Sequence, residues 1–248
     1  PLKARFYRDM GVERIVVDVD ITRDFYTLKN ICDVFGNGVE IIINNVCRKN
    51  CAYKMFHYNH DAHCTSDNIQ AIEDYFFNRC SLQKANNVDT ALKLNWIRPE
   101  DLHYYQSCGI NNFKIQGRQN VLHGNLIKAL SHYIQEDFDG NLYDLITLFA
   151  PYNAFQHYID NKTLEGFIKP FYLNFKFCDE NCKECGHCEQ YARKSIDWEK
   201  ASKLNHSAKV FFEQYDQFKT IVKKNVDEFN SLSDFCDDII SNKFSFED

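Results

Sequence analysis

Short apolar segments alternate with amphipathic segments along the first 140 residues of the chain. Four β-branched or apolar runs predict buried strands: Arg14–Val19, Val39–Asn44, Leu92–Ile97 and Asn112–Gln116. Each run is followed by a predicted helix. The first is capped by Thr22 and runs to Phe35 with apolar positions at helical spacing, and the last covers Asn120–Gln135. Strand and helix units joined by a few residues predict parallel strands with right-handed crossovers.

Four such units predict an α/β fold that forms half of a (β/α)8-type barrel, with a small open α/β sheet as the alternative. Four parallel strands alone would leave two unpaired edges. The half barrel therefore predicts that the other half lies on an upstream segment or on a partner chain. The chain begins on Pro1 rather than Met, which fits a portion of a longer protein.

From Asn141 the pattern changes, and residues 141–248 are predicted to form a second, Cys-rich and mainly helical region. Within it, Phe171–Phe177 predicts a strand, and Ser195–Phe229 predicts a long amphipathic helix with apolar residues three and four apart. The predicted domains are thus 1–140, a βα half barrel with a Cys and His insertion, and 141–248, a metal-binding helical region.

Composition narrows the class of protein. The 248 residues include 11 cysteines, an odd number and too few for a disulfide scaffold, and they contain neither a membrane-spanning apolar run nor a signal peptide. We therefore expect a reducing, cytoplasmic compartment, where clustered thiols bind metal. The net charge of −6 argues against a broad nucleic-acid-binding face, although a local basic pocket for an RNA loop stays open.

The densest chemical feature is a run of four thiols within eleven residues. Cys178, Cys182, Cys185 and Cys188 have the spacing C-x3-C-x2-C-x2-C, and the charged residues between them argue against burial as packing groups. The spacing favours a [4Fe–4S] cluster, with a structural zinc site as the alternative. The first three also match the spacing of radical S-adenosylmethionine enzymes, which the position far beyond the barrel strands disfavours.

A second group of metal-ligand residue types follows the second predicted strand. Cys47, Cys51 and Cys64 are predicted metal ligands, and His57 is a predicted cofactor contact. In a parallel barrel the loops after the strands form the active-site face, which places these residues for chemistry. The alternative is that His57 and the histidines after it line a short helix and bond to backbone or solvent.

The ends of the third and fourth predicted strands carry charge. Arg98, Glu100, Lys114 and Arg118 are predicted catalytic or substrate-binding residues. Gly117, before a helix and beside an arginine, is predicted to help bind a phosphate or carboxylate. An ion pair of Arg98 with Glu100 or Asp101 that fixes the loop is the alternative. The remaining cysteines are predicted packing thiols: Cys32, Cys80, Cys108 and Cys236.

Several motifs together resemble a known family. They are Asn44-Asn45 followed by Cys47-x3-Cys51-Ala-Tyr and His57-Tyr58-Asn59, Ile97–Leu102, Phe113–Arg118, and Cys182-x2-Cys185-x2-Cys188. From about Gly11 to Ala192 the chain resembles peptidase family U-thirty-two, the collagenase-like proteases. The resemblance implies a (β/α)8 barrel and, from the family name, proteolysis.

The same resemblance implies a second chemistry. Several members of the family are oxygen-independent hydroxylases of tRNA, ribosomal RNA or ubiquinone precursors, with a cysteine-bound [4Fe–4S] cluster and in some cases prephenate as oxygen donor. Cys47 and Cys51 match cysteines after the corresponding strand in the family. The Cys178–Cys188 segment departs from the ligand spacing of the hydroxylases.

The sequence therefore predicts an iron–sulfur-dependent oxidoreductase, hydroxylase-like, that acts on an unidentified anionic substrate, either a small molecule or RNA. A peptidase is the first alternative, although neither G-x-S-x-G nor H-E-x-x-H occurs in the chain. A non-catalytic metal-binding module that docks a partner half is the second.

Overall fold

The computed structural model describes residues 1–67, 75–150, 157–210 and 213. Its strands are β1 (Ile15–Val16), β2 (Val39–Ile42), β3 (Asn44–Arg48), β4 (Leu94–Trp96) and β5 (Asn112–Lys114). Its helices are α1 (Leu2–Asp9), α2 (Phe25–Phe35), α3 (Lys54–Asp67), α4 (Tyr75–Asn86), α5 (Leu102–Ser107), α6 (Arg118–His123), α7 (Leu126–Gln135), α8 (Leu142–Ile146), α9 (Lys169–Leu173), α10 (Cys182–Cys185) and α11 (His187–Ser195). Residues 198–210 are also helical.

A short parallel sheet lies at the centre of the fold. Its strand order is β1-β2-β5, and both pairs are parallel. Val39 and Ile41 alternate with less buried residues along β2, as expected for a strand with one face against the core. The predicted strands at the start of the chain, at Val39 and at Asn112 are therefore confirmed in position and direction.

The third predicted strand pairs differently from expectation. Strand β4 runs antiparallel to β3, with Asn44 opposite Trp96. The reason lies at Ile43, whose N–H donates to Lys114 O (3.0 Å) while its carbonyl accepts from Ile97 N (2.8 Å). The chain thus passes from the parallel sheet into an antiparallel pair at one residue. The fold is a mixed α/β structure, and four parallel strands forming a half barrel are not confirmed.

The spacing of the buried residues explains why Phe25–Phe35 form helix α2. Its buried residues lie three and four positions apart: Phe25, Leu28, Ile31, Cys32 and Phe35. Asp24, rather than the predicted Thr22, caps the helix by accepting from Thr27 N at 2.9 Å. The Thr22 hydroxyl instead donates to Val19 O within a preceding 3₁₀ turn.

Two further elements differ from the sequence pattern. The predicted helix Asn120–Gln135 is divided into α6 and α7 at Gly124, where a Cβ atom would lie 2.2 Å from Leu148 O. The predicted strand Phe171–Phe177 is wrong, because α9 covers Lys169–Leu173 with a proline in its first turn. Phe171 of this segment is buried in the core, whereas Phe175 is exposed.

Residues Pro1–Leu204 form one compact unit and Asn205–Asp248 a second. The core of the first contains large, fully buried side chains, among them Trp96, Tyr105 and Phe167. The helix predicted over Ser195–Phe229 is confirmed for residues 198–210, and its remainder lies largely outside the described residues. The boundary predicted after residue 140 stays a prediction. In the described parts of the chain, every helix is too short or too polar to span a bilayer.

Replacing Asn44 by Ala should lower the free energy of unfolding by about 2 to 4 kcal/mol. The buried Asn44 amide donates to Gln116 O (2.8 Å) and Ile146 O (3.1 Å) and accepts from Gln116 N (2.9 Å), so its loss leaves backbone groups unpaired. Urea unfolding would measure the change. The control is Asn30→Ala, whose side chain donates to a carbonyl within its own helix at the surface; an equal loss in both variants would contradict this account.

Candidate functional site

A cavity of about 700 Å³ lies between the beginning of α2, α9 and the cysteine loop, which we define as residues 178–188. Three of the four thiols of this loop line it: Cys178, Cys182 and Cys188. Cys185 is exposed and does not line the cavity. The structure therefore divides the predicted ligand set into three thiols that share a cavity and one that lies outside it.

An aromatic cluster holds the cysteine loop in place. The His187 ring packs against Phe167, Phe171 and Phe177, at centroid distances of 5.2, 5.6 and 5.1 Å. Its Nε2 hydrogen-bonds with Phe167 O at 2.9 Å, and burial lowers the pKa of His187. A neutral histidine among aromatic rings thus positions the two flanking cysteines, Cys185 and Cys188.

The other end of the loop is bound to the segment after β3. Glu180 accepts a hydrogen bond from Asn50 (2.7 Å) and forms an ion pair with Lys49 (3.3 Å). These contacts bring the two cysteine-bearing segments predicted from the sequence next to each other. Residues about 130 positions apart in the sequence are therefore in contact at the candidate site.

Arg23 forms the base of the cavity. Its guanidinium donates to Leu92 O (2.7 Å) and Leu94 O (2.5 Å). It also lies over the rings of Trp96 and Phe167, 4.8 and 4.9 Å from their centroids. Burial lowers the pKa of Arg23, and the neighbouring thiols of Cys188 and Cys178 oppose that shift. The sequence did not single out this residue, because its contacts come from a segment far along the chain.

The thiols of the cavity influence one another. Burial raises the pKa of Cys188 to about 11; Arg23 and Lys93 act in the opposite direction, and Cys178 and Cys182 add to the rise. Cys188 is therefore a neutral thiol near pH 7. Because metals bind thiolates, a metal ion would have to displace this proton.

The donor chemistry of the cavity fits a thiolate-held metal or cluster. Three cysteine thiols, which are soft ligands, line the cavity, and Arg23 and Lys93 offer positive charge near Cys188. Within the described residues, however, no three His, Cys, Asp or Glu side chains form a group that could hold a metal ion. Binding would therefore require the cysteines to move closer together.

A second thiol group surrounds Cys47. Burial raises the pKa of Cys47, Lys84 opposes the shift, and Cys80 and Cys51 add to it. Burial raises the pKa of Tyr58, and the nearby Cys47 adds to the rise. Cys80 was predicted to be a packing thiol; it is half-buried on α4, close enough to Cys47 to affect its pKa, and its packing role stays a prediction. Of the other packing thiols, Cys32 and Cys108 are buried as predicted.

The remaining predicted residues of this segment lie on α3. His57 is half-buried and stacks on Tyr58, with ring centroids 6.2 Å apart. Cys64 is on the same helix, and its side chain lies outside the described residues, as does Cys236. The assignment of His57 and Cys64 to a metal or cofactor stays a prediction.

Arg98 and Glu100 have structural partners. The buried Arg98 guanidinium forms a bidentate ion pair with Asp101 (2.8 and 3.0 Å) and donates to Asn161 O (2.6 Å). Glu100 accepts from Asn161 Nδ2 at 2.8 Å and from Phe138 N at 3.1 Å. These contacts match the alternative of an ion pair that fixes the loop, and neither residue lines the cavity.

Lys114 is the last residue of β5, Gly117 and Arg118 follow shortly after it, and both cationic residues are exposed. Gly117 has φ of 111° immediately before α6, a left-handed conformation that accounts for glycine without any ligand. None of the three lines the cavity. Their predicted role in holding an anion stays a prediction.

Comparison with known proteins gives one similarity. The chain is 31% identical over 194 residues to a protein of Methanocaldococcus jannaschii named as an uncharacterized protease. The match covers 78% of this chain and 56% of the relative, so the chain spans little more than half the relative's length. No family model matches the chain, and no solved structure does.

Replacing Arg98 by Met should lower the free energy of unfolding by about 3 to 5 kcal/mol, because Asp101 would remain buried without its partner. The exposed Arg118→Met variant is the matched control and should change stability by less than about 0.5 kcal/mol. Thermal and urea unfolding would measure both. Unchanged stability in Arg98→Met, with weaker substrate binding, would instead support the substrate role predicted from the sequence.

Proposed function

We propose that the chain belongs to peptidase family U-thirty-two and that the cavity at the cysteine loop is the reaction site of an enzyme. The family motifs of the sequence and the protease-like relative support this assignment. The cavity supports the location, because three cysteine thiols, which are possible metal ligands, line it. The chain spans only part of its relative, so the activity of the whole protein is part of the proposal.

The first candidate activity is peptide hydrolysis. Its support is the similarity to the Methanocaldococcus jannaschii protein that is named as a protease. A peptidase needs a nucleophile or a metal-activated water. Three protein ligands with one open position are the arrangement of catalytic zinc sites, and Cys178, Cys182 and Cys188 can supply three ligands. A zinc ion bound there would supply the activated water. Arg23 and Lys93 would stabilise negative charge that develops on the substrate.

The second candidate is an oxygen-independent iron–sulfur oxidoreductase. It is supported by the spacing of the four thiols of the cysteine loop, in which Cys185 would be the fourth ligand of a [4Fe–4S] cluster. The cluster would supply electron transfer at the cavity. The protein's part would be to place the substrate beside the cluster and to offset its negative charge with Arg23 and Lys93.

Metal analysis and peptide hydrolysis together separate these activities. In anaerobically purified protein, serine substitution of Cys178, Cys182 or Cys188 should lower metal affinity by at least about tenfold. Cys32→Ala is the control for loss of a thiol away from the cavity, and it should retain its metal. Zinc together with cleavage of fluorogenic peptides would support the peptidase, whereas iron and sulfide without cleavage would support the oxidoreductase.

Two results would contradict the proposed site. Wild-type protein without zinc, iron or sulfide would exclude a metal centre of either kind. Metal retained in all three serine variants but lost in Cys47→Ser would move the centre to the second thiol group. In either case the cavity would no longer be supported as the reaction site.

A further inference from the structure

Two of the four thiols of the cysteine loop lie on one turn of helix. Cys182 begins α10 and Cys185 ends it. Two backbone hydrogen bonds close the turn: Cys185 N donates to Asn181 O, and Gly186 N donates to Cys182 O, both at 3.1 Å. Residues three apart in such a turn have Cα atoms about 5 Å from each other. That separation lies within the range that a disulfide spans, about 4.4 to 6.8 Å.

The other two thiols of the loop lie outside this turn. Gly186 has φ of 61° and ends α10, so Cys188 lies on the next helix, α11. Cys178 lies four residues before the first residue of α10. Cys182 is therefore the one thiol of the loop that shares a helical turn with Cys185.

The two thiols of the turn differ in exposure. Cys185 is exposed and lies outside the lining of the cavity, whereas Cys182 is half-buried and lines it. The two residues between them, Lys183 and Glu184, are also exposed. A small disulfide in solution can therefore reach Cys185 first, and Cys182 is the neighbour that can complete an exchange.

The chain is anchored on both sides of the turn. Before α10, Glu180 accepts a hydrogen bond from Asn50 at 2.7 Å. After α10, His187 Nε2 hydrogen-bonds with Phe167 O at 2.9 Å. Because these contacts hold the loop at its two ends, a disulfide within α10 can form and break while the anchors stay in place.

We infer that Cys182 and Cys185 form a reversible disulfide, which acts as a redox switch of the cavity. The switch rests on the proposed function, because it acts on a metal ligand of that site. Metals bind thiolates, and a sulfur within a disulfide is no longer a thiolate. Oxidation thus removes Cys182 from the three thiols that line the cavity, and reduction restores it.

The oxidant is a small disulfide of the glutathione type. The Cys185 thiolate attacks one sulfur of glutathione disulfide, and one glutathione leaves. Cys182 then attacks the Cys185 sulfur of this mixed disulfide and displaces the second glutathione. The two cysteines lose two electrons and two protons, which the two released glutathione molecules carry as thiols. An excess of glutathione reverses both steps.

Tryptic peptide mapping tests the pairing. Trypsin cleaves at Lys183, between the two cysteines, and divides the thiols of the loop between peptides 177–183 and 184–193. A disulfide of Cys182 with Cys185 joins these peptides, whereas a disulfide of Cys182 with Cys178, or of Cys185 with Cys188, stays within one peptide. Chelator-treated chain that is equilibrated with glutathione disulfide and then alkylated should give the joined peptides, and dithiothreitol should separate them.

Serine variants identify the two sulfurs. The matched control is the double variant Cys178→Ser/Cys188→Ser, which keeps only the two thiols of α10 in the loop and should give the joined peptides as the wild-type chain does. Cys182→Ser and Cys185→Ser should each lose them. Absence of the joined peptides in the wild-type chain or in the double variant would overturn the inference, as would their persistence at full yield in Cys182→Ser.

Zinc binding tests the effect on the cavity. In competition with a chromophoric chelator, the oxidised chain should bind zinc at least about tenfold more weakly than the reduced chain, and renewed reduction should restore the affinity. Cys185→Ser lacks the switch, so glutathione disulfide should leave its zinc affinity unchanged. Equal zinc affinity of the oxidised and reduced wild-type chains would show that the disulfide does not switch the cavity and would overturn the inference.

The two proposals fail in different ways. A reduced chain that takes up neither zinc nor iron would contradict the proposed function. The joined peptides would then still support or overturn the disulfide, because they are measured on metal-free chain.

Discussion

The site depends on a half-buried cation, Arg23, that joins distant parts of the chain. Arg23 precedes α2, donates to two carbonyls around β4, and lies over aromatic rings from β4 and from the segment before α9. A buried guanidinium must have its hydrogen bonds and its charge compensated, because desolvation costs several kcal/mol. Carbonyl dipoles and ring faces supply part of that compensation. Arg23 also lines the cavity beside the thiols of Cys178 and Cys188.

The cysteine loop is positioned by its surroundings as much as by its own spacing. His187 packs into an aromatic cluster, and Glu180 binds Lys49 and Asn50 near the end of β3. These two contacts fix the loop on both sides of α10. Thiols predicted as one ligand set are consequently divided, with three at the cavity and Cys185 on the exposed side.

Local patterns predicted local structure well and long-range pairing poorly. The spacing of Leu28, Ile31 and Phe35 identified α2, and the β-branched runs identified the parallel strands. The antiparallel pairing of β3 with β4 could not be predicted from the sequence. It depends on the two backbone hydrogen bonds of Ile43, one to Lys114 of the parallel sheet and one to Ile97 just after β4. Arg23 was missed for a similar reason, since it acquires its neighbours only through tertiary packing.

The central claim is that a metal centre is held at the cavity by the cysteine loop. Anomalous diffraction from crystals grown anaerobically, with data collected on both sides of the iron and zinc absorption edges, locates such a centre directly. The account predicts an anomalous peak about 2.3 Å from the sulfurs of Cys178, Cys182 and Cys188. A peak confined to the sulfurs of Cys47, Cys51 and Cys80, or no peak at either edge, would contradict it.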